Sequence, residues 1–533
     1  FLSVFGLTGR TVFFIIVLAL GWAAPVLLRR IYRLIERPFI GIPIYLAALI
    51  VCSTWFFWSA SYLFLPNYFD LVEPAIAVQS ALLLQGRPIY PAWDAGQGVY
   101  GMIYGPVLYF VHAAVLLVSK SIPATKFAGI AAAWAALLVI ALDARKTIRD
   151  SRIVLLVLGC IILIFFKILP FTFSNRPDPL LILLSALAGL ALRLPKYEAA
   201  LAIGLVAGLA VGLKPHGALY CTPAAVALLV REASSWATGL RLGGVIFAVA
   251  AAVAIAPFLH PSVSLTHYLA YMAITAGHGL SRDNFVENLI FFALMIAPGT
   301  MILVVRRPLL GREIQLSGAA LIVCGVIAAA VGAKNGAGVQ HLLPFLPPAA
   351  HLTLQIARLE PRRPDQPING RAVALGFFAL YLCVLGPRLV GYSLMMNHIF
   401  DDSSPEWLKV AEVDKLYSMY PQAEMGVSDT RNYRSTFYRV IGVVRGTPVH
   451  LEFPFLMDIR AVGLGEDAAQ KFVEDCKVPE WILPVAGIPF SLRGAYEYQG
   501  RYDTLISDKF RQAFAHNYHV VFSGKYYNVW GCR

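Results

Sequence analysis

Charge is what this sequence has least of. Asp, Glu, Lys and Arg make up 14% of its 533 residues, against about 25% in a soluble domain. That scarcity excludes an ordinary soluble enzyme. Acids are almost missing from the long apolar runs, and no inverted repeat is visible. Both absences argue against a transporter or flippase of lipid-linked or anionic substrates, which remains the alternative reading. Cysteine is sparse too: seven residues, none with metal-ligand spacing such as C-x-x-C. Cys52, Cys160, Cys221, Cys324 and Cys383 lie in apolar runs and read as small core residues. A cleavable signal, a low-complexity tract and a clear repeat are likewise not seen.

What remains is apolar, at 58% hydrophobic residues. Near-spanning runs recur along the first three quarters, at 11–29, 42–64, 126–143, 153–170, 179–194, 198–213, 217–231, 241–259, 286–305, 315–332, 341–357 and 372–394. The expected fold is therefore membrane all-α, a polytopic bundle of about 12 spans over residues 1–395. The net charge of +13 reads as basic residues orienting short loops rather than as a nucleic-acid surface. Arg29, Arg30, Arg33 and Arg37 form one group; Arg145, Lys146, Arg149 and Arg152 form a second. Arg306, Arg307 and Arg312 follow, then Arg358, Arg362, Arg363 and Arg371. Placing all four inside turns the loops 65–125, 171–178, 214–216, 260–285 and 333–340 outward, with everything after 395. The run 104–119 is apolar, but crossing would carry "ARKTIRDSR" outside, so it is expected to lie along the surface or re-enter.

Residues 396–533 are polar and are expected to form a small α/β domain on the outer side. "HVVFSGKYYNVW" and "PVHLEFPFL" alternate as strands do, and "EDAAQKFVEDCKV" reads as an amphipathic helix. Cys476 and Cys532 are the two cysteines of this tail. In an oxidising compartment they are expected to pair.

The polar residues that could carry chemistry fall on the outward face. Asp70 and Glu73 follow the second apolar run and share a helical face, three residues apart. Acids there also suit a helix start. "SNRPDPLLILL" sets Arg176 and Asp178 before a span, as a capping ion pair or as a second acidic position. "GLKPHGALY" sets Lys214 and His216 between spans, and "GAKNGAGVQHLLPF" sets Lys334 and His341 around a glycine-rich turn. "TAGHGLSRDNF" adds His278 and Arg282. Carboxylates and cations on one membrane-level face suit a lipid-linked phosphosugar. Cations neutralise the leaving phosphate, and a carboxylate takes the proton of the attacking hydroxyl.

An apolar span, then acids, then "LLLQGRPIYP" and "YGPVLY", resembles the first outward loop of GT-C-type membrane glycosyltransferases. "RPDPLLILL" resembles the second acidic position of bacterial members, the dolichyl-phosphate-mannose/aminoarabinose transferase-like superfamily. "KNGAGVQHLLPFLPP" resembles a later outward segment. The likeness runs over about the first 350 residues. It implies a multi-pass protein of the bacterial inner membrane, with its C-terminal domain periplasmic. It implies an inverting transferase that moves a sugar from a polyprenyl-phosphate donor to a hydroxyl of a cell-envelope glycan or lipid acceptor. It also implies surface-lying helices in the first loop. Carried over, the catalytic carboxylates are Asp70, Glu73 and Asp178, with the base one of the first two. Lys334, His341, Lys214 and Arg176 would bind the donor phosphate, and His216, His278 and Arg282 the sugar or acceptor. Many members have adjacent acids, whereas here they stand three apart, which leaves the choice of base open. Some members use a divalent metal and others do not, so the cofactor stays open. An oligosaccharide ligase or polymerase would share the lipid phosphate but rely on Arg and His.

Overall fold

The computed structural model describes residues 38–306, 308–359, 370–401, 403–429, 433–464, 466–493 and 504–533. The expected span 11–29 and the basic clusters at 29–37 and 362–363 lie outside the described residues. The bundle helices are α1 (Pro38–Phe64), α2 (Val72–Leu84), α3 (Pro106–Val118), α4 (Ile122–Ile148), α5 (Ser151–Phe165), α6 (Pro177–Ala191) and α7 (Lys196–Leu213). They continue as α8 (Ala218–Glu232), α9 (Trp236–Ile255), α10 (Leu265–Ala276), α11 (Arg282–Arg306), α12 (Arg312–Val331), α13 (Leu346–Arg358) and α14 (Gly370–Asp401).

Seven stretches among the described residues are long and apolar enough to cross a membrane. They are Gly41–Phe64, Ile122–Ile148, Lys196–Leu213, Trp236–Leu259, Arg282–Val304, Arg312–Val331 and Ala374–His398. The chain is thus an integral membrane protein. Four other expected spans fall on α5, α6, α8 and α13, which have 15, 15, 15 and 13 residues. At 1.5 Å per residue a 15-residue helix is about 22 Å long, short of an apolar layer about 30 Å thick. Large apolar side chains such as Leu240, Phe247 and Leu259 stay exposed on the span Trp236–Leu259, as a lipid-facing helix requires.

Local sequence explains where helices start. Pro106 and Pro177 open α3 and α6, where a missing N–H costs nothing. Ser121 caps α4 by accepting from the Ala124 N–H at 3.4 Å. Gly105 lies so close to the Gly212 carbonyl that any side chain there would collide with it, which lets α3 start directly on the end of α7.

The loops expected outward gather on one face. Ile89 donates to the Ser262 carbonyl (3.1 Å), Gly105 to that of Leu213 (3.0 Å) and Ser281 to that of Ala333 (2.7 Å). The α3 helix begins on this face, next to α7. It leads into the start of α4, where Lys126 touches carbonyls at the end of α1.

The tail packs on the same face. Its elements are α15 (Ser403–Met419), β1 (Glu424–Met425), α16 (Arg439–Val443), α17 (Phe453–Ala461), α18 (Asp467–Glu474), β2 (Glu480–Pro484), α19 (Asp508–Asn517), β3 (Tyr518–Ser523) and β4 (Tyr527–Cys532). The sheet order is β1-β2-β4-β3, parallel only between β1 and β2. The stretch "HVVFSGKYYNVW" forms the β3–β4 hairpin as expected. "PVHLEFPFL" does not form a strand throughout. Leu451 makes one bridge to Val99, and α17 then starts at Phe453 with Pro454 in its first turn. The alternation mimicked a strand, but proline at a first turn favours the helix. Cys476 and Cys532 are joined in a disulfide, Cα atoms 6.0 Å apart. The bundle helix α14 runs to Asp401, past the expected division at 395/396. One apolar core continues from the bundle into the tail through Val99, Tyr271, Leu451 and Phe455.

Candidate active site

Asp70 and Glu73 do different jobs. Glu73 is fully buried. Its Oε2 accepts from the Tyr62 hydroxyl at 2.8 Å and its Oε1 from the Phe69 N–H at 2.8 Å. Burial, with the charge of Asp70 beside it, pushes its carboxyl well up from the ordinary range. Lys126 lies behind it, buried as well. Its ammonium donates to the carbonyls of Tyr62 (3.2 Å), Leu65 (2.7 Å) and Asn67 (2.6 Å). It thereby closes the C-terminal end of α1, where free carbonyls and the helix dipole both favour a cation. This buried set holds the loop rigid.

Asp70 stands at the front of that loop. Its Oδ1 accepts from the backbone N–H groups of Val72 (3.0 Å) and Glu73 (3.2 Å), so it does cap α2. Its Oδ2 faces the Arg176 guanidinium, and its side chain keeps 20% exposure. One oxygen is structural and the other is presented to the site.

Arg176 lies over Phe171, 4.5 Å from the ring centre, and its Nη1 donates to the Tyr104 hydroxyl at 3.4 Å. Its Nε has no hydrogen-bond partner among the described residues. Two residues on, Asp178 sits buried in the first turn of α6, where the dipole favours a carboxylate. Its Oδ1 accepts from Lys214 Nζ at 2.8 Å, while its Oδ2 has no partner among the described residues. Burial pulls the Lys214 ammonium down from its usual range. Tyr104 lies between the two pairs, its ring centre 5.9 Å from Lys214 Nζ.

Next to this cluster the rings of His216 and His341 meet, Nε2 to Nδ1, at 3.2 Å. Burial, then the charges of Lys214 and Lys334, push His216 down to about 3, so it is neutral at pH 7. Lys334 is half-buried, and burial lowers its pKa. It bridges to Leu280, and the turn after it uses Gly336 at φ +80°, a conformation that favours glycine. His278 is buried, with Nε2 3.7 Å from Asp458 Oδ1 of the tail. Arg282 is exposed at the first residue of α11, and no described hydrogen bond or ion pair links it to the others.

The expected residues thus sort into an inner set (Asp70, Arg176, Asp178, Lys214), a histidine pair with Lys334, His278 at the junction with the tail, and Arg282 outside. Tyr62, Tyr104, Lys126 and Asp458 were not foreseen. Tyr104 lies in the motif "YGPVLY", which was its signal; a lone Lys at the start of an apolar run gives none. No group of three or more His, Cys, Asp or Glu among the described residues is placed to hold a metal ion.

No protein-family description matches the chain, and no curated protein sequence does. Solved structures do. ArnT from Cupriavidus metallidurans bound to undecaprenyl phosphate superposes with a TM-score of 0.52 at 14% identity, over 91% of this chain and 97% of that one. The same protein in the apo state gives 0.51 at 13%, with the same coverage. The fold is ArnT-like. At this identity the likeness carries the fold and not the chemistry.

Proposed function

We propose that the chain is a glycosyltransferase that takes a sugar from a polyprenyl-phosphate donor and gives it to a hydroxyl on a cell-envelope glycan or lipid. The observation that carries this reading is the meeting of Asp70–Arg176 and Asp178–Lys214 across Tyr104, on an ArnT-like fold. Each pair keeps a polar atom without a partner among the described residues, Arg176 Nε and Asp178 Oδ2. A buried donor of that kind is completed by a phosphate oxygen and a buried acceptor by a sugar or acceptor hydroxyl, and leaving either unmade is costly.

Asp70 is the proposed base. Its Oδ2 meets Arg176 at the site and its side chain stays 20% exposed, whereas Glu73 is fully buried with its oxygens held by Tyr62 and Phe69. Glu73 is then a positioning residue. The acceptor hydroxyl gives its proton to Asp70 Oδ2 as its oxygen bonds to the anomeric carbon. The bond from that carbon to the phosphate oxygen breaks on the opposite side, which inverts the centre. Arg176, Lys214 and Lys334 neutralise the departing phosphate, with neutral His216 and His341 as donors beside them. Asp178 holds Lys214 in place.

The face that carries the site is the outer one, by the position of Arg145, Lys146, Arg149 and Arg152 at the far end of α4. On this reading α3 lies at the surface, since 13 residues span only about 20 Å. The bundle and the tail, divided near 395, act as catalytic module and periplasmic cover. The test is turnover of undecaprenyl-phosphate sugars by Asp70→Asn and Glu73→Gln. Loss of a general base costs about 10²–10⁴-fold. Wild-type turnover in both variants would end the proposed mechanism.

A further inference from the structure

The tail supplies a carboxylate that no reading of the bundle includes. Asp458 lies in α17, 6% exposed. That helix is held tightly against the bundle loops. Phe455 stacks on Tyr271 with ring centres 4.4 Å apart and 11° between planes. Just before α17, the Glu452 N–H donates to the Val99 carbonyl at 2.8 Å, and the Glu452 carboxylate accepts from Gln79 at 2.9 Å. Asp458 is thereby fixed facing His278, 3.7 Å away. Its charge also bears on Tyr104, the residue between the two inner ion pairs. Lys334 in turn bears on both His278 and His216. Asp458 therefore lies at the edge of the candidate site, beside His278 and within electrostatic reach of Tyr104.

Among the described residues none donates a hydrogen bond to the Asp458 carboxylate. Burial pushes that carboxyl up to about 7. A buried acceptor of this kind needs donors. Phosphate brings none when ionised and would be repelled. Sugar hydroxyls bring several, and the His278 imidazole lies beside the carboxylate.

We infer that Asp458 and His278, meeting across the junction of bundle and tail, form a subsite for hydroxyls of the transferred sugar. The inference rests on the glycosyltransferase reading and deepens it. The phosphate is read by the bundle, and the sugar is read from the tail.

Binding tests it. The probes are undecaprenyl phosphate and a panel of undecaprenyl-phosphate hexoses and pentoses, measured on the full chain in detergent. The native protein should bind at least one sugar-bearing lipid more tightly than the bare lipid. Asp458→Asn and Asp458→Ala should weaken that lipid at least tenfold and leave undecaprenyl phosphate within about twofold. His278→Gln should act in the same direction. The Asn variant is isosteric, and an unchanged melting temperature shows that it folds. Equal weakening of both lipids, or no weakening, overturns the subsite, as does a native protein that gains nothing from any sugar in the panel. A native protein that fails to bind undecaprenyl phosphate at all strikes the functional reading itself, and the subsite with it.

Discussion

The α4 helix has an acidic cluster near each end, and the two are built differently. At its C-terminal end Asp143 is saturated. Its Oδ1 accepts from Arg193 Nε (3.1 Å) and Nη2 (2.6 Å), and its Oδ2 lies 2.6 Å from His351 Nδ1. Arg193 also donates to Thr147 at 2.8 Å. At the other end Asp178 and Arg176 each keep a buried polar atom with no protein partner among the described residues. Both clusters pair an Asp near a helix end with an Arg just outside a helix. The first is finished without a ligand and the second is not. An ion pair in itself says little about function; unfilled hydrogen-bonding capacity in a rigid frame says more.

Removing the acids should break the symmetry most sharply. Asp70→Asn is expected to lower turnover by about 10²–10⁴-fold with little loss of stability. Asp143→Asn is expected to lower the melting temperature and leave turnover within a few-fold. The frame behind the site comes next. Lys126→Met removes three donors from the carbonyls at the end of α1 and leaves Glu73 without its nearby cation. Breaking a buried charge set costs about 3–5 kcal/mol, so thermal unfolding in detergent should move well downward. The smallest expected effect is on the pH dependence of the tail junction. Burial raises Glu452 from an ordinary 4.5 to about 7. The folded chain then holds a proton that the unfolded chain releases, so this contribution is complete below about pH 4.5. It is lost as pH rises to about 7, by about 3 kcal/mol at most. Melting temperatures between pH 5 and pH 8 should fall less in Glu452→Gln than in the native chain.

Much of this was readable because a polar residue stands out where an apolar run ends. Asp70, Arg176, Asp178, Lys214 and Lys334 each mark such a boundary, and loops assigned to one side by the basic clusters do meet. Other features depend on distance in space. Lys126 is meaningful only because carbonyls some 60 residues earlier come to it. Asp458 lies just past a stretch whose alternation suggested a strand, and nothing in the sequence tied it to His278, 180 residues earlier. Asp70 and Glu73 could not be ranked by spacing, since the difference lies in burial: Glu73 is enclosed and Asp70 is partly exposed at the site. Composition alone does not register where a helix ends inside a continuing apolar run, as where α5 stops at Phe165 while the mostly apolar run goes on to Leu169. The Cys476–Cys532 bridge was accessible from composition alone, the pair being the tail's two cysteines.

The account stands on the claim that the unfinished cluster, together with the neighbouring histidine pair and Lys334, and not the saturated one, receives a lipid phosphate. Titrating undecaprenyl phosphate into the native chain, Lys334→Ala and Arg193→Ala tests it directly. The account predicts about tenfold weaker binding for Lys334→Ala and native affinity for Arg193→Ala. Native affinity in Lys334→Ala, or a loss as large in Arg193→Ala, would contradict it.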